Sequence, residues 1–150
     1  DALCSQIDLP STVLDMVGTT RRFDQSAGTS FKALLQGEDH QRSEVFFEQE
    51  ESRGVRTDQF SYWCRLPGAG PNVLFDHTGD PLQTLNVADQ PEYSHVVEEL
   101  HLKVTEFFGQ YSDTKYDIWK AGQAKGSISS ESFLAPLMPE GWTATTTSIT

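Results

Sequence analysis

The run from Val73 to Leu100 constrains the fold of this chain more than any other stretch. It opens with a short apolar strand, Val-Leu-Phe, and continues into a turn from Asp76 to Pro81 that contains Gly and Asp. Asn86 and Asp89 then stand where their side chains can hold the backbone ahead of a helix. A strand, a turn and a helix in this fixed order predict a domain that mixes both kinds of secondary structure.

The helix that follows Pro91 has the clearest periodicity in the sequence. Its apolar residues recur at intervals of three and four, which is the repeat of one face of an α-helix. These residues are Tyr93, Val96, Val97, Leu100, Val104, Phe107, Phe108 and Tyr111. A stripe about five turns long requires an apolar surface to cover it, and a small sheet is the expected partner.

Three segments ahead of this helix predict strands. They are Ser43 to Glu48, Gly54 to Leu66, and Asn72 to Phe75. In the second, alternation places Val55 and Trp63 on one side, with Tyr62 and Cys64 opposite. Because the connections are short and the strands are consecutive, the sheet is expected to be antiparallel.

The first part of the chain predicts a helix from Leu9 to Val17. Asp8 is placed to cap it, Pro10 suits its first turn, and Gly18 can end it. Val13, Leu14 and Val17 share one face of this helix. Farther on, Phe31 and the two leucines that follow mark a single helical turn that ends at Gly37.

Taken in order, these segments resemble the C-terminal subdomain of the sulfatases. The first eighteen residues, DALCSQIDLPSTVLDMVG, resemble the family's Val-Asp-Leu and Pro-Thr-Leu-Leu-Asp-Leu-Ala-Gly segment. GTSFKALLQG, from Gly28, resembles its Gly-x-Ser-Leu-x-x-Leu-Leu-x-Gly turn. RGVRTDQFSY, from Arg53, is similar to its Arg-x-Val-Arg-Thr-Asp-x-Tyr-Lys-Tyr strand, and the run from Val73 is similar to its strand, Asp-Pro turn and helix. The resemblance covers Asp1 to Trp119.

The resemblance implies an α+β fold. A small antiparallel sheet of three to four strands would pack against a long C-terminal helix, preceded by a helix that belongs to the α/β core of the parent enzyme. The expected organisation is the end of that core with its connection in residues 1–37, the subdomain in 38–119, and an irregular tail in 120–150.

The family's catalytic groups are not expected in this chain. Sulfatases carry a Cys/Ser-x-Pro-x-Arg motif, whose Cys or Ser becomes formylglycine, and they bind calcium through Asp and Asn residues that lie mostly upstream. Neither Cys4 nor Cys64 lies in such a motif, so no catalytic and no metal-binding residue is predicted. We interpret the chain as the C-terminal part of a sulfatase that hydrolyses a sulfated sugar or an aryl sulfate. Formylglycine and calcium would belong to the N-terminal catalytic part, its expected partner.

The resemblance implies that this region forms part of the rim of the substrate pocket and contacts the substrate there. By position, the segments His40 to Arg42 and Gln49 to Arg53 could reach such a rim. Arg53, Arg42 and His40 are therefore the predicted substrate-binding residues, because a guanidinium suits a sulfate or carboxylate. The competing interpretation is a surface ion pair, since Arg53 lies close in sequence to Glu48, Glu50 and Glu51.

Composition excludes some classes of partner. The net charge of −11 argues against nucleic acid and against an anionic membrane surface, which both need clustered Lys and Arg. No stretch is apolar for the roughly 20 residues of a membrane span. Neither asparagine begins a glycosylation motif, which is compatible with a bacterial protein, periplasmic or secreted. The two cysteines are expected to be buried thiols.

Two alternatives remain open from the sequence. The chain could be a stand-alone, non-catalytic binding or interaction module that kept the subdomain and lost the enzyme. It could also belong to a related phosphonate or phosphodiester hydrolase, because the residues that would discriminate lie upstream. The first helix favours the enzyme, since a free module would have little use for it.

Overall fold

The computed structural model describes residues 2–19, 25–38, 42–49 and 51–120. The chain divides into two compact units, Asp1–Ser112 and Asp113–Thr150. In the described part of the second unit, Ile118–Lys120 forms one turn of 3-10 helix. The predicted tail, apart from its first residue, lies outside the described residues, and the predicted division into three regions stays a prediction.

The first unit contains three helices and four strands in its described part. The helices are α1 (Asp8–Met16), α2 (Lys32–Leu35) and α3 (Ser94–Tyr111), the last preceded by a 3-10 turn at Pro91–Tyr93. The strands are β1 (Glu44–Gln49), β2 (Ser52–Thr57), β3 (Phe60–Arg65) and β4 (Val73–Asp76). None of the described helices has the length and apolar character that a membrane span needs.

The four strands form one antiparallel sheet in the order β1-β2-β3-β4. Each strand therefore pairs with its neighbour in sequence, as short connections require. This sheet, with α3 packed on it, confirms the predicted α+β class.

The prediction of one strand from Gly54 to Leu66 is wrong. Asp58 and Gln59 form a two-residue turn, and the segment folds into the hairpin of β2 and β3. The Thr57 hydroxyl closes this turn, because its oxygen accepts a hydrogen bond from the Phe60 amide at 2.9 Å. A two-residue turn inverts the alternation, so Val55 lies opposite Tyr62 on the same face of the sheet rather than on the other.

The core lies between α3 and one face of the sheet. Leu100, Val104 and Phe108, spaced by four residues, are the buried residues of α3. From the sheet they meet a buried set that includes Val55, Tyr62, Cys64 and Leu74. The apolar stripe predicted from the sequence therefore does cover the sheet, and its last residue, Tyr111, is 40% exposed at the end of the helix.

The two cysteines are free and differ in burial. Cys64 is buried as predicted, and its thiol donates to the Arg53 carbonyl at 3.5 Å. Burial raises the pKa of the Cys64 thiol. The prediction of a buried Cys4 is wrong, because this residue lies in the irregular segment ahead of α1 and is exposed.

The connection from β4 to α3 is held by the side chain predicted for it. The Asn86 carbonyl accepts from the Leu74 amide at 2.9 Å and from the Ala88 amide at 3.0 Å. Its amide group donates to the Asn72 carbonyl at 3.1 Å. Asn86 thus extends the hydrogen bonding of the outer edge of β4. Asp89 forms no comparable bond among the described residues.

Helix α1 is oriented with its polar side inward. Asp8 and Thr12 are its buried residues, whereas Val13 is 49% exposed and Val17 is 71% exposed. The apolar face predicted from the sequence exists but is not covered by the described residues. The helix ends as predicted, with Gly18 at φ +73° and the Thr19 amide donating to the Leu14 carbonyl.

Candidate functional site

Arg53, the first predicted substrate ligand, lies in β2 and points toward α3. Arg53 is only 5% exposed. The Nε group donates to a Glu48 carboxylate oxygen at 2.7 Å, and Nη2 donates to the Ser112 hydroxyl at 3.2 Å. The guanidinium carbon lies 4.4 Å from the centre of the Phe108 ring, which adds a cation-π contact.

These contacts show what Arg53 does inside the domain. The guanidinium connects the edge strand β1, the strand β2 and the end of α3. The pair with Glu48 agrees with the ion-pair interpretation of the sequence, although one partner is deeply buried rather than on the surface. A direct contact between Arg53 and a substrate stays a prediction.

Arg42, the second predicted ligand, belongs to a buried polar cluster around Asp8. Its Nη1 group pairs with the Asp8 carboxylate, and its Nε donates to the Glu44 carbonyl at 2.9 Å. The Asp8 side chain is completely buried. It also accepts from the backbone amides of Ser5 at 2.8 Å and Thr29 at 2.9 Å. Asp8 thereby joins α1, the loop ahead of α2 and the start of β1.

Asp8 does not cap α1 in the way that the sequence predicted. Residue 7 is the capping position and makes no side-chain hydrogen bond to the helix, while Asp8 is the first helical residue. Burial by itself raises the pKa of the Asp8 carboxyl. The hydrogen bonds from Thr29 and Ser5 and the Arg42 guanidinium outweigh burial and hold this pKa below its ordinary value of 3.8.

His40, the third predicted ligand, lies outside the described residues, as does Glu50. Of the other two acidic residues considered with Arg53, Glu48 pairs with it, and Glu51 lies 3.8 Å from Arg65. The structure therefore pairs Arg42 with Asp8 and Arg53 with Glu48. Both guanidinium groups have partners in the same chain.

A polar group that the sequence did not reveal lies on the face of the sheet that points away from α3. Arg56 Nη1 donates to the Ser61 hydroxyl at 3.2 Å, and this hydroxyl lies 3.0 Å from His77 Nε2. Burial, followed by the charge of Arg56, lowers the pKa of His77. This shift favours the neutral imidazole, whose Nε2 accepts from the Ser61 hydroxyl or donates to it according to the tautomer. These residues are aligned only because the turn between β2 and β3 inverts the alternation of side chains. No sequence motif marks that inversion.

The described residues contain no group of three or more His, Cys, Asp or Glu side chains placed to hold a metal ion. The chain sequence contains no Cys/Ser-x-Pro-x-Arg motif. The chemistry that the described side chains offer is hydrogen bonding, ion pairing and aromatic contact.

No protein-family model matches this chain, and no curated protein matches it. Solved structures do match. A putative sulfatase from Bacteroides thetaiotaomicron VPI-5482 is 27% identical over 71% of this chain, with a TM-score of 0.60. A 2-O GAG sulfatase, where GAG denotes glycosaminoglycan, is 27% identical over the same share, with a TM-score of 0.59. A phosphonate monoester hydrolase from Agrobacterium radiobacter, 22% identical over 71% of this chain with a TM-score of 0.54, shares the fold.

In each of these three structures the match covers 25% of the other chain. This chain therefore spans about a quarter of the length of its structural neighbours. The motifs, their order and the matched fold agree with one another. Together they show that the chain is similar to sulfatases, and the similarity is consistent with the C-terminal region of such an enzyme.

Proposed function

We propose that this chain acts as the non-catalytic C-terminal part of a longer sulfatase that hydrolyses a sulfated sugar. The orientation of α1 supports this proposal most directly. A helix at a protein surface normally buries its apolar side and exposes its polar side. Helix α1 does the opposite, because it buries Asp8 and Thr12 and exposes its apolar side. Its apolar side is suited to packing against a further layer of protein.

The exposed apolar surface of α1 and its capping residue includes three further side chains. Ile7, Leu9 and Met16 are 40%, 56% and 59% exposed. Beside them an apolar cleft of about 710 Å³ lies between the start of α1 and the end of α3, lined by Ile7, Pro10, Gln25, Ser26, Ala27, Phe107 and Tyr111. We assign this surface to the catalytic part of the longer protein, which would supply the formylglycine and the calcium.

The substrate rim belongs to the same proposal. The segment ahead of β1, with His40 and Arg42, and the turn from Gln49 to Arg53 would form this chain's share of the rim. The ion pairs of Arg42 with Asp8 and of Arg53 with Glu48 hold the two backbone segments in place. Contact of Arg53 with the part of the substrate beyond its sulfate is the finer step, and it needs its own test.

The proposed function is tested by comparing this chain with a longer protein that also carries the catalytic part. We expect the chain alone to release no sulfate from an aryl sulfate, with calcium and a formylglycine-generating enzyme present. The longer protein should hydrolyse sulfate esters under the same conditions. The double variant Val13→Gln, Met16→Gln should leave the melting temperature of the chain alone unchanged and lower that of the longer protein. Leu102→Gln, an exposed change on α3, is the matched control.

Three results would overturn parts of this proposal. Sulfate release by the chain alone would refute its non-catalytic role. A longer protein that prefers phosphonate monoesters over sulfate esters would move the chain to the related hydrolases. Equal effects of the α1 variant on both proteins would show that α1 docks against nothing else.

For Arg53, we expect the Ala variant to lower the free energy of unfolding by about 2 kcal/mol, because the Phe108 contact and the Glu48 pair are both lost. Arg53→Lys, which keeps the charge without the planar fork, should lose less.

If the substrate contact also holds, Arg53→Ala in the longer protein lowers kcat/KM by about 10-fold on a polyanionic sugar. A small aryl sulfate should then react almost normally. Equal losses on both substrates would leave Arg53 with its structural role alone.

A further inference from the structure

The face of the sheet that points away from α3 carries three aromatic rings on three strands. Phe47 and Trp63 lie 6.2 Å apart between ring centroids, and Trp63 and Phe75 lie 5.4 Å apart. Phe47 is 39% exposed, and the other two rings are half-buried. Together Phe47, Trp63 and Phe75 form what we call the aromatic face.

The floor between these rings is kept flat by Gly54. A Cβ atom at this position would lie 2.3 Å from the ring of Phe47 and 2.5 Å from the Tyr62 carbonyl oxygen. Only glycine therefore lets the Phe47 ring lie against the strand. Beside the ring is a cleft of about 390 Å³, lined by Phe47, Gln49, Glu51, Ser52, Trp63 and Arg65. Aromatic rings with a few polar side chains, in a cleft of this size, are typical of a small-ligand site.

Arg56 adds a positive charge to this face. It lies two residues after Gly54 in β2, so its side chain projects on the same side, about 7 Å along the strand. In the described ranges it donates to the Ser61 hydroxyl and has no carboxylate partner. The nearby Arg65 differs, because Glu51 lies 3.8 Å from it. Arg56 therefore retains donors for an external anion.

We propose that the aromatic face with Arg56 binds a short acidic sugar, one ring of which lies on Phe47 and Trp63 while a sulfate or carboxylate group meets Arg56. The C–H face of a pyranose is apolar and suits an aromatic ring, and its hydroxyl groups suit Gln49 and Ser52. A planar guanidinium binds such anions through two parallel hydrogen bonds. Because the chain carries a net charge of −11, a long polyanion would be repelled, which favours a disaccharide over a polymer.

The choice of an acidic sugar rests on the proposed function, but its test does not depend on catalysis. The probes are a sulfated heparin disaccharide, its desulfated and N-acetylated form, and inorganic sulfate. Each is titrated into the full chain while backbone amide shifts are followed by NMR. We expect saturable shifts in β2 and β3 and at Trp63 with the sulfated sugar, weaker binding of the desulfated sugar, and none of these shifts with inorganic sulfate.

Variants separate the two parts of the site. Trp63→Leu should weaken binding of both sugars by about 10-fold, since it removes the ring. Arg56→Gln should weaken the sulfated sugar by about 10-fold and the desulfated one by less than about twofold. Tyr111→Leu and Lys115→Gln, an exposed aromatic and a cation elsewhere, are the matched controls and should change neither. The wild-type shifts locate the site even if a variant fails to fold.

Several outcomes would overturn the inference. These are no saturable shift at millimolar sugar, shifts confined to α3, or equal weakening by the control variants. Loss of binding in the longer protein would show that the aromatic face is an internal packing surface. A longer protein that binds this sugar yet hydrolyses no sulfate ester would refute the proposed function and leave the sugar site standing.

Discussion

Leu100→Asp is expected to unfold the first unit at room temperature. Leu100 is 3% exposed in the interface between α3 and the sheet. A carboxylate placed there has no partner and must either stay charged without water or take up a proton, so the loss should reach about 4 kcal/mol or more. Small domains have only about 5 to 15 kcal/mol in total. Far-UV circular dichroism without urea shows whether the variant is unfolded, and urea unfolding of the wild type gives the free energy that the substitution must remove.

Leu102→Asp is the matched control for this change. It lies two residues later on the same helix and is 57% exposed. The same substitution there should change the free energy of unfolding by less than about 0.5 kcal/mol. If Leu100→Asp retained the wild-type unfolding midpoint, the packing of α3 on the sheet would be incorrect.

Asp8→Ala should have the second largest effect. Its carboxylate is completely buried and holds Arg42 together with the amides of Ser5 and Thr29. Removing it leaves a guanidinium that is only 13% exposed without its anion, in addition to two unpaired amides. Breaking a buried pair from one side costs about 3 to 5 kcal/mol. Chemical unfolding at pH 7 should show a loss in this range.

Asp15→Ala provides the matched control on the same helix. Asp15 is 51% exposed in its side chain and pairs with Lys32 at 3.7 Å. An exposed pair of this kind contributes at most about 1 kcal/mol. Comparable losses from Asp8→Ala and Asp15→Ala would mean that the cluster around Asp8 is not the anchor that joins α1 to the sheet.

Acid should remove the contribution of Asp8. Its folded-state pKa lies below the ordinary value of 3.8, so its stabilising effect is fully present above pH 3.8 and fades as the pH falls through the folded-state pKa. The stability gap between the wild type and Asp8→Asn should therefore be constant from neutral pH down to about pH 5 and shrink below it. A gap that does not change down to pH 2 would contradict the charge-based account.

Local patterns accounted for the elements that have long or strongly marked sequences. The stripe from Tyr93 to Tyr111 predicted α3 because a repeat of three and four residues fits only one regular structure. Gly18 and Gly37 marked helix ends, and both have positive φ angles. Asn86 was recognised as a residue that holds backbone, since its side chain offers a donor and an acceptor beside a strand.

A local sequence pattern could not predict the hairpin of β2 and β3. Asp58 and Gln59 continue the alternation of a single strand, and neither is a glycine that would announce a turn. The pairing of Arg56 with Ser61 across the turn decides which side chains face α3. Such pairing depends on two strands together, so the alternation along one strand predicts the faces incorrectly.

The candidate site shows the same limit. Arg53 and Arg42 were predicted as ligands because a guanidinium suits an anion, and the sequence could not show that Glu48 and Asp8 supply that anion within the chain. Asp8 and Arg42 are separated by 34 positions. Partners so distant meet only when the chain is folded.

The sequence by itself determined the fold class, the long helix, the ends of the shorter helices and the likeness to the sulfatases, because these follow from local periodicity, turn chemistry and motif order. Only the tertiary structure decided which faces are buried. It turned the polar side of α1 inward around Asp8, exposed the apolar side, and brought Phe47, Trp63 and Phe75 together on the open face of the sheet. Burial and ion pairing depend on which distant residues meet, and that is set by packing rather than by neighbours in the chain.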